Sequence, residues 1–139
     1  MARLVAAMIA ALVLARGAAA AEEPSWYDYE PAVVSLKGFL AVKYFYGPPS
    51  FGDFPKSDHK AEAWLLFLST PVNIRGESDP DDGEEETNVR LIQLVVMTKN
   101  NPKKLWKDLR RSLGREVIVT GSLYQGRTSW YWTNVALGL

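Results

Sequence analysis

His59 is the single imidazole in the chain of 139 residues, and it follows Asp58 directly. A carboxylate beside an imidazole is the beginning of a general-base pair. Neighbouring side chains on an extended chain point apart, however, and a lone dipeptide is unspecific, so His59 is expected on the surface. Cysteine is absent, which excludes thiol catalysis, thiolate metal sites and c-type haem attachment; one histidine alone does not make a zinc site. Glu77 to Glu86 gathers seven carboxylates around Gly83. An EF-hand loop with its glycine sixth would begin at Ser78, with Pro80 third and Val89 where the bidentate glutamate belongs, so the calcium pattern fails. The segment reads as a mobile, solvated loop. There is no Gly-x-Ser-x-Gly elbow and no phosphate-cradling glycine loop. An enzyme is disfavoured, no cofactor and no metal are expected, and a small hydrolase with an unrecognised site stays as an alternative.

The residue types left to work with are aromatic. Trp130, Tyr131 and Trp132 stand in a row, three residues beyond Arg127. On a strand, Trp130 and Trp132 would share one side with Asn134, and Tyr131 the other with Val135 and Leu137. Two outward tryptophans make a platform for a sugar ring, a base or a partner's apolar side chain. Trp130, Trp132, Arg127 and Asn134 are therefore the first candidate ligand-binding set; the alternative is that the lead-in around Trp26 covers them. A second candidate patch is Tyr46, Phe51 and Phe54, carried by Gly47 to Pro55, whose three prolines exclude helix and central strand. Such a loop is either a packed cover over a barrel mouth or a ligand platform, and aromatics in loops favour the cover.

These residues need elements to position them. Glu23 to Pro31 reads as an extended lead-in, with Trp26 packing across a groove or barrel end. Ala32 to Phe45 alternates as a strand, with Val34, Leu36, Leu40, Val42 and Tyr44 on one face and Gly38 marking a bulge or tight bend in it. Ala61 to Ser69 is an apolar run of strand length, extended by Val72 to Ile74 after a kink at Pro71. Arg90 to Met97, apolar on both faces, reads as a central strand. Asn100 or Asn101 caps a helix with Pro102 at its first position and Gly114 at its stop. Leu105, Trp106, Leu109 and Leu113 form its apolar stripe, opposite Lys103, Lys104, Lys107, Arg110 and Arg111. Burial of Trp106 would make its truncation cost roughly 3–5 kcal/mol. Val117, Val119 and Leu123 then alternate in a strand that turns back at Gln125 to Ser129 into another over Tyr131 to Leu137. Three strands, a helix and two strands give a mainly β fold, an OB-like five-stranded barrel with the helix between strands three and four.

Val34-Ser-Leu-Lys-Gly38, Phe45-Tyr-Gly-Pro-Pro49 with Phe51-Gly-Asp, Thr70-Pro-Val72, Gln93-Leu-Val95 and Gly114 to Leu123 resemble a family of exported bacterial domains of unassigned function. The resemblance runs from about Val33 to the end and implies export and an OB-like fold. That family's last hairpin carries Thr-Gly-His-His-His-Thr, and the matching positions here are Thr128, Ser129, Trp130, Tyr131, Trp132 and Thr133. With all three histidines replaced by aromatics, no metal or acid–base role carries over.

Arg3, the apolar run Leu4 to Leu14 and the alanines at 18–21 have the layout of a secretory signal peptide over residues 1–21. The run is well short of the ~20 residues that span a bilayer. Residues 22–31 form the lead-in and 32–139 the domain. Setting aside Arg3 and Arg16 leaves 14 basic residues against 16 acidic ones, a net charge of −2, which gives no global field for nucleic acid. The expectation is an exported, periplasmic or secreted, monomeric binding module without stable membrane insertion after cleavage, whose ligand is a protein or a saccharide-type molecule. An inhibitor or immunity-type protein that blocks an envelope enzyme is the other alternative.

Overall fold

The computed structural model describes residues 22–128 and 130–139; the expected signal peptide, at 1–21, lies outside the described residues. The elements in chain order are β1 (Ser25–Tyr27), β2 (Val34–Tyr46), β3 (Lys60–Ile74), β4 (Glu86–Val95), α1 (Pro102–Arg111), β5 (Glu116–Gln125) and β6 (Val135–Gly138). Strand β2 pairs antiparallel with β3 on one side and β5 on the other. Strand β3 continues to β4, β4 pairs in parallel with β6, and β6 closes on β5. That ring of five, with α1 between its third and fourth strands, is the OB connectivity the sequence predicts.

Alternation fills the barrel. Leu36 and Leu40 from β2 meet Leu66, Ile92, Leu123 and Leu137 in a core from which water is excluded. Each such side chain contributes about 1.5–3 kcal/mol by leaving water. Pro71 sits where β3 has left β2, after Leu68, and before it takes up β1 at Val72. The β3–β4 register shifts over the same stretch, between Phe67 and Val72. A residue without an N–H is tolerated at such a change of pairing.

Helix α1 starts where its cap puts it: the Asn101 Oδ1 accepts the Lys104 amide at 3.2 Å, and Pro102 follows. It ends at Arg111, before Leu113, which is left exposed. Of the expected stripe only Leu109 is fully buried; Leu105 and Trp106 are half-buried. The buried tryptophan is Trp64, 2% exposed, its ring tilted against that of Trp106 at 5.5 Å.

The lead-in plugs the other end, but not with the expected residue. Trp26, in β1, is 42% exposed beside Arg75. Tyr29 is the buried aromatic, and its hydroxyl donates to the Glu84 carbonyl at 2.7 Å. Gly83 lies so close to the Tyr29 ring that a Cβ there would stand 2.5 Å from it. The acidic loop is thus fastened rather than free. The Glu84 amide donates to the Gln125 side chain at 2.7 Å, and the Arg127 guanidinium reaches the Pro80 carbonyl and Asp81.

Burial, with Glu86 and Glu84 adding to it, pushes the Tyr29 phenol up from 10.0 to about 12. Unfolded chain therefore ionises first, so this contribution to stability is full below pH 10 and is lost as pH rises toward 12. The loss amounts to about 1–2 kcal/mol once screening is allowed for. Denaturation midpoints between pH 8 and 12 should show Tyr29→Phe weaker at the start, for want of the hydrogen bond, but falling less steeply than wild type. Parallel curves would remove Tyr29 from the alkaline transition.

Candidate ligand-binding face

Strands β2 and β3 are longer than the barrel needs. Pairing of β2 with β5 ends at Phe39, and pairing of β3 with β4 stops at Trp64. Val42 to Tyr46 and Lys60 to Trp64 pair on with each other as a two-stranded arm beyond the barrel. This is why Tyr44, whose parity matches the inward residues, has no core beneath it and is 60% exposed. On that side of the arm Tyr44 stands opposite Glu62 and Tyr46 opposite Lys60. Directly opposed residues lie close enough to act as one surface.

The loop at the arm's tip is built around Asp58. Its carboxylate accepts the Ser50 amide and hydroxyl at 2.8 Å and the Gly52 amide at 2.7 Å. Partial desolvation opposes the charge, but the Ser50 and Gly52 hydrogen bonds outweigh it and hold this carboxyl below its ordinary range. The Asp58 side chain is therefore a loop staple, and His59 is exposed. Phe51 and Phe54 are 51% and 71% exposed and Tyr46 41%. The packed-cover expectation is corrected: the loop tops a projecting arm, and no barrel mouth lies under it.

The first candidate set is not assembled as expected. The strand over Tyr131 to Leu137 is only Val135–Gly138, and the described residues between β5 and β6, 126–128 and 130–134, are irregular. The cause is Gln93, a buried polar residue on the outer face of β4. Its Oε1 accepts the Trp132 amide at 2.8 Å, its Nε2 donates to the Trp130 carbonyl at 3.3 Å, and its own amide donates to the Thr133 hydroxyl at 3.1 Å. These bonds draw the loop across the sheet and satisfy an amide that would otherwise be buried at a cost. Trp132 lies flat on Phe45, rings 3.8 Å apart, and is half-buried. Arg127 faces the acidic loop, and Asn134 is exposed, with its carbonyl accepting the Gly126 amide. Trp130 stays 57% exposed, beside Gly47. Trp130 and Trp132 therefore do not form a paired platform, and Trp26, paired with Asn73 at the far end of β3, does not cover them.

Trp130 and Tyr46 also lie on opposite sides of the arm: Phe45 stacks on Trp132 and Gly47 abuts Trp130, and Tyr46, between Phe45 and Gly47 in the chain, points the other way. The side with Tyr44 and Tyr46 runs down to α1. At its foot Glu62, Lys103, Trp106, Lys107, Arg110 and Arg111 surround an open depression of about 610 Å³. The Arg110 guanidinium lies 5.4 Å over the Trp64 ring and 3.5 Å from the Glu62 carboxylate, to which the Trp64 Nε1 also points at 3.4 Å. What converges there is four cations, one carboxylate and one indole.

Sequence reasoning missed two further features. Phe39 and Phe67 are opposed on the outer wall and each 49% exposed; the parity that turned Leu36 and Leu40 inward already put Phe39 outside. The basic side of α1 was recognisable, but its partner Glu62 was hidden in an apolar run. Comparison with family models, curated proteins and solved structures gives no match.

Proposed function

We propose that this chain is a non-enzymatic binding module, exported to the bacterial cell envelope, that holds a protein or saccharide-type ligand on the face shared by the arm and α1. The observation that carries this reading is the exposure of Tyr44, Tyr46, Phe51 and Phe54 together on an arm with no core beneath it. Ordered aromatics offer large contact area for little loss of side-chain freedom, and they dominate interfaces for that reason. In OB barrels the loop between the first two strands, here the loop that carries Phe51 and Phe54, is a customary ligand contact. The arm's projection also favours a second reading, an inhibitor whose tip enters a cleft of an envelope enzyme. The net charge of −2 for residues 22–139 argues against nucleic acid.

Immobilised protein challenged with envelope extract tests both readings. The triple variant Tyr46→Ser, Phe51→Ser, Phe54→Ser should lose the captured partner at an unchanged melting temperature. Interface aromatics carrying ~2 kcal/mol each would lower affinity by a factor of roughly 30 for each one lost. Trp130→Ser, on the other side of the arm, should leave capture intact. Equal capture by the triple variant would remove the arm from consideration.

A further inference from the structure

We propose that the depression between α1 and β3 is a subsite for an anionic saccharide, in which the Trp106 indole takes the sugar ring, Lys103, Lys107, Arg110 and Arg111 take its carboxylate, sulfate or phosphate, and Glu62 accepts its hydroxyls. The inference rests on the arm and α1 being one ligand face, and it names the chemistry at the foot of that face.

Spacing places the cations together. Positions 103, 107 and 111 follow one another by four, and Arg110 stands three beyond Lys107 and next to Arg111, so the four share one broad side of the helix and span about 12 Å along its axis. Leu105 and Leu109 face the barrel, which leaves this side to solvent. Arg110 is held in place by the Trp64 ring and by Glu62, so its planar donors are set before a ligand arrives. Among the described residues, the ion pairs within 4 Å involve none of Lys103, Lys107 and Arg111. Asp108, the acidic residue of α1, is engaged by Lys104 at 2.8 Å. The free cations are thus available for anionic groups.

The other lining groups select what bears those anions. Trp106 is half-buried and leans on Trp64 on one side, so part of its ring faces the depression. An indole surface with a carboxylate beside it matches a sugar, which presents apolar C–H faces and hydroxyl donors together. A bare phosphate polymer would meet the charge of Glu62 and make no use of the indole. At this subsite the apolar side chain is the half-buried Trp106, which does not protrude as a membrane contact would, and vesicles are therefore among the probes. The volume of about 610 Å³ falls within the ~300–1,000 Å³ of ligand clefts. The acidic loop, at the opposite end of β3, repels a polyanion there and favours its approach to α1.

Titration calorimetry of the protein, with tryptophan fluorescence, tests the assignment. The probes are an oligogalacturonate, a sulfated chondroitin oligosaccharide, a neutral dextran of the same length, inorganic polyphosphate, and vesicles containing phosphatidylglycerol. At least one anionic oligosaccharide should bind and change the indole emission. The double variant Lys107→Gln, Arg111→Gln, at exposed positions, should bind it at least tenfold more weakly, and Trp106→Phe should remove the emission change. Failure of both anionic oligosaccharides to bind would overturn the subsite, as would equal binding of dextran, tighter binding of polyphosphate or vesicles, or indifference to the double variant. If the subsite fails while the Tyr46, Phe51 and Phe54 variant still loses its envelope partner, the arm reading stands alone. If the oligosaccharide binds and the arm variant keeps its partner, the arm reading falls instead.

Discussion

Gly38→Ala should destabilise the barrel by about 3 kcal/mol, the upper end of the usual range for forcing atoms into a packed site. The strand β2 is paired on both sides there, with Leu68 and Val117. An added Cβ would stand 2.4 Å from the Phe67 carbonyl oxygen and 2.9 Å from the Leu66 side chain. Leucine can change rotamer, but the carbonyl belongs to the β2–β3 ladder and moves only if the pairing opens. Gly114→Ala is the control. Its φ is +73° with open space around it, so the loss should be only that of left-handed backbone, about 1 kcal/mol. Urea denaturation of both variants measures the difference. A loss below 1 kcal/mol at Gly38 would show that the strands separate there at little expense.

The second large effect is expected at Trp64. Truncation to alanine should cost roughly 3–5 kcal/mol, the range for a fully enclosed tryptophan. Trp106→Ala should lose about half as much, because its ring is only half-enclosed and part of it already faces water. Chemical denaturation of the two single variants ranks them, and an equal or reversed order would mean that α1 covers Trp106 more completely than its exposure indicates. The ranking matters for the site as well. Trp64 supports both the Trp106 ring and the Arg110 guanidinium, so its loss should loosen the depression that Trp106 merely lines.

The barrel was legible because alternation and the helix signals are local. Val34, Leu36 and Leu40 declare an inward face within a few residues, and Asn101-Pro102 declares a helix start. What local pattern does not report is where a neighbouring strand stops. Tyr44 continues the alternation of Leu40 and Val42, yet the pairing with β5 has already ended and Tyr44 is left 60% exposed. The Trp-Tyr-Trp run failed for the converse reason. Its period suits a strand, but Gln93, 37 residues before Trp130 and 39 before Trp132, offers its backbone better hydrogen bonds in an irregular loop. A glycine at 38 signals a special strand position, and the reason for it, the approach of the Phe67 carbonyl, is tertiary. The candidate site was legible only in halves. The loop aromatics and the basic helix side could each be read, and their meeting across Glu62 could not.

Closure of the ladder has a consequence for how the protein keeps apart from its own copies. Unpaired strand edges are templates on which other chains add, and aggregation and amyloid begin there. Ring pairing of β2 to β6 shortens the edges of the barrel, and β1 adds one of only three residues. Open backbone among the described residues remains along 116–121 of β5 and 86–92 of β4, which lie outside the short pairing with β6, and on the arm, where Lys43, Lys60 and Glu62 put charge on it. Phe39 and Phe67 are exposed on strands paired on both sides, so their side chains have no run of free amides beside them, whereas Ile118 is paired on one side, with Lys37. The exposed aromatic pair on the outer wall thus sits where the ladder is closed on both sides.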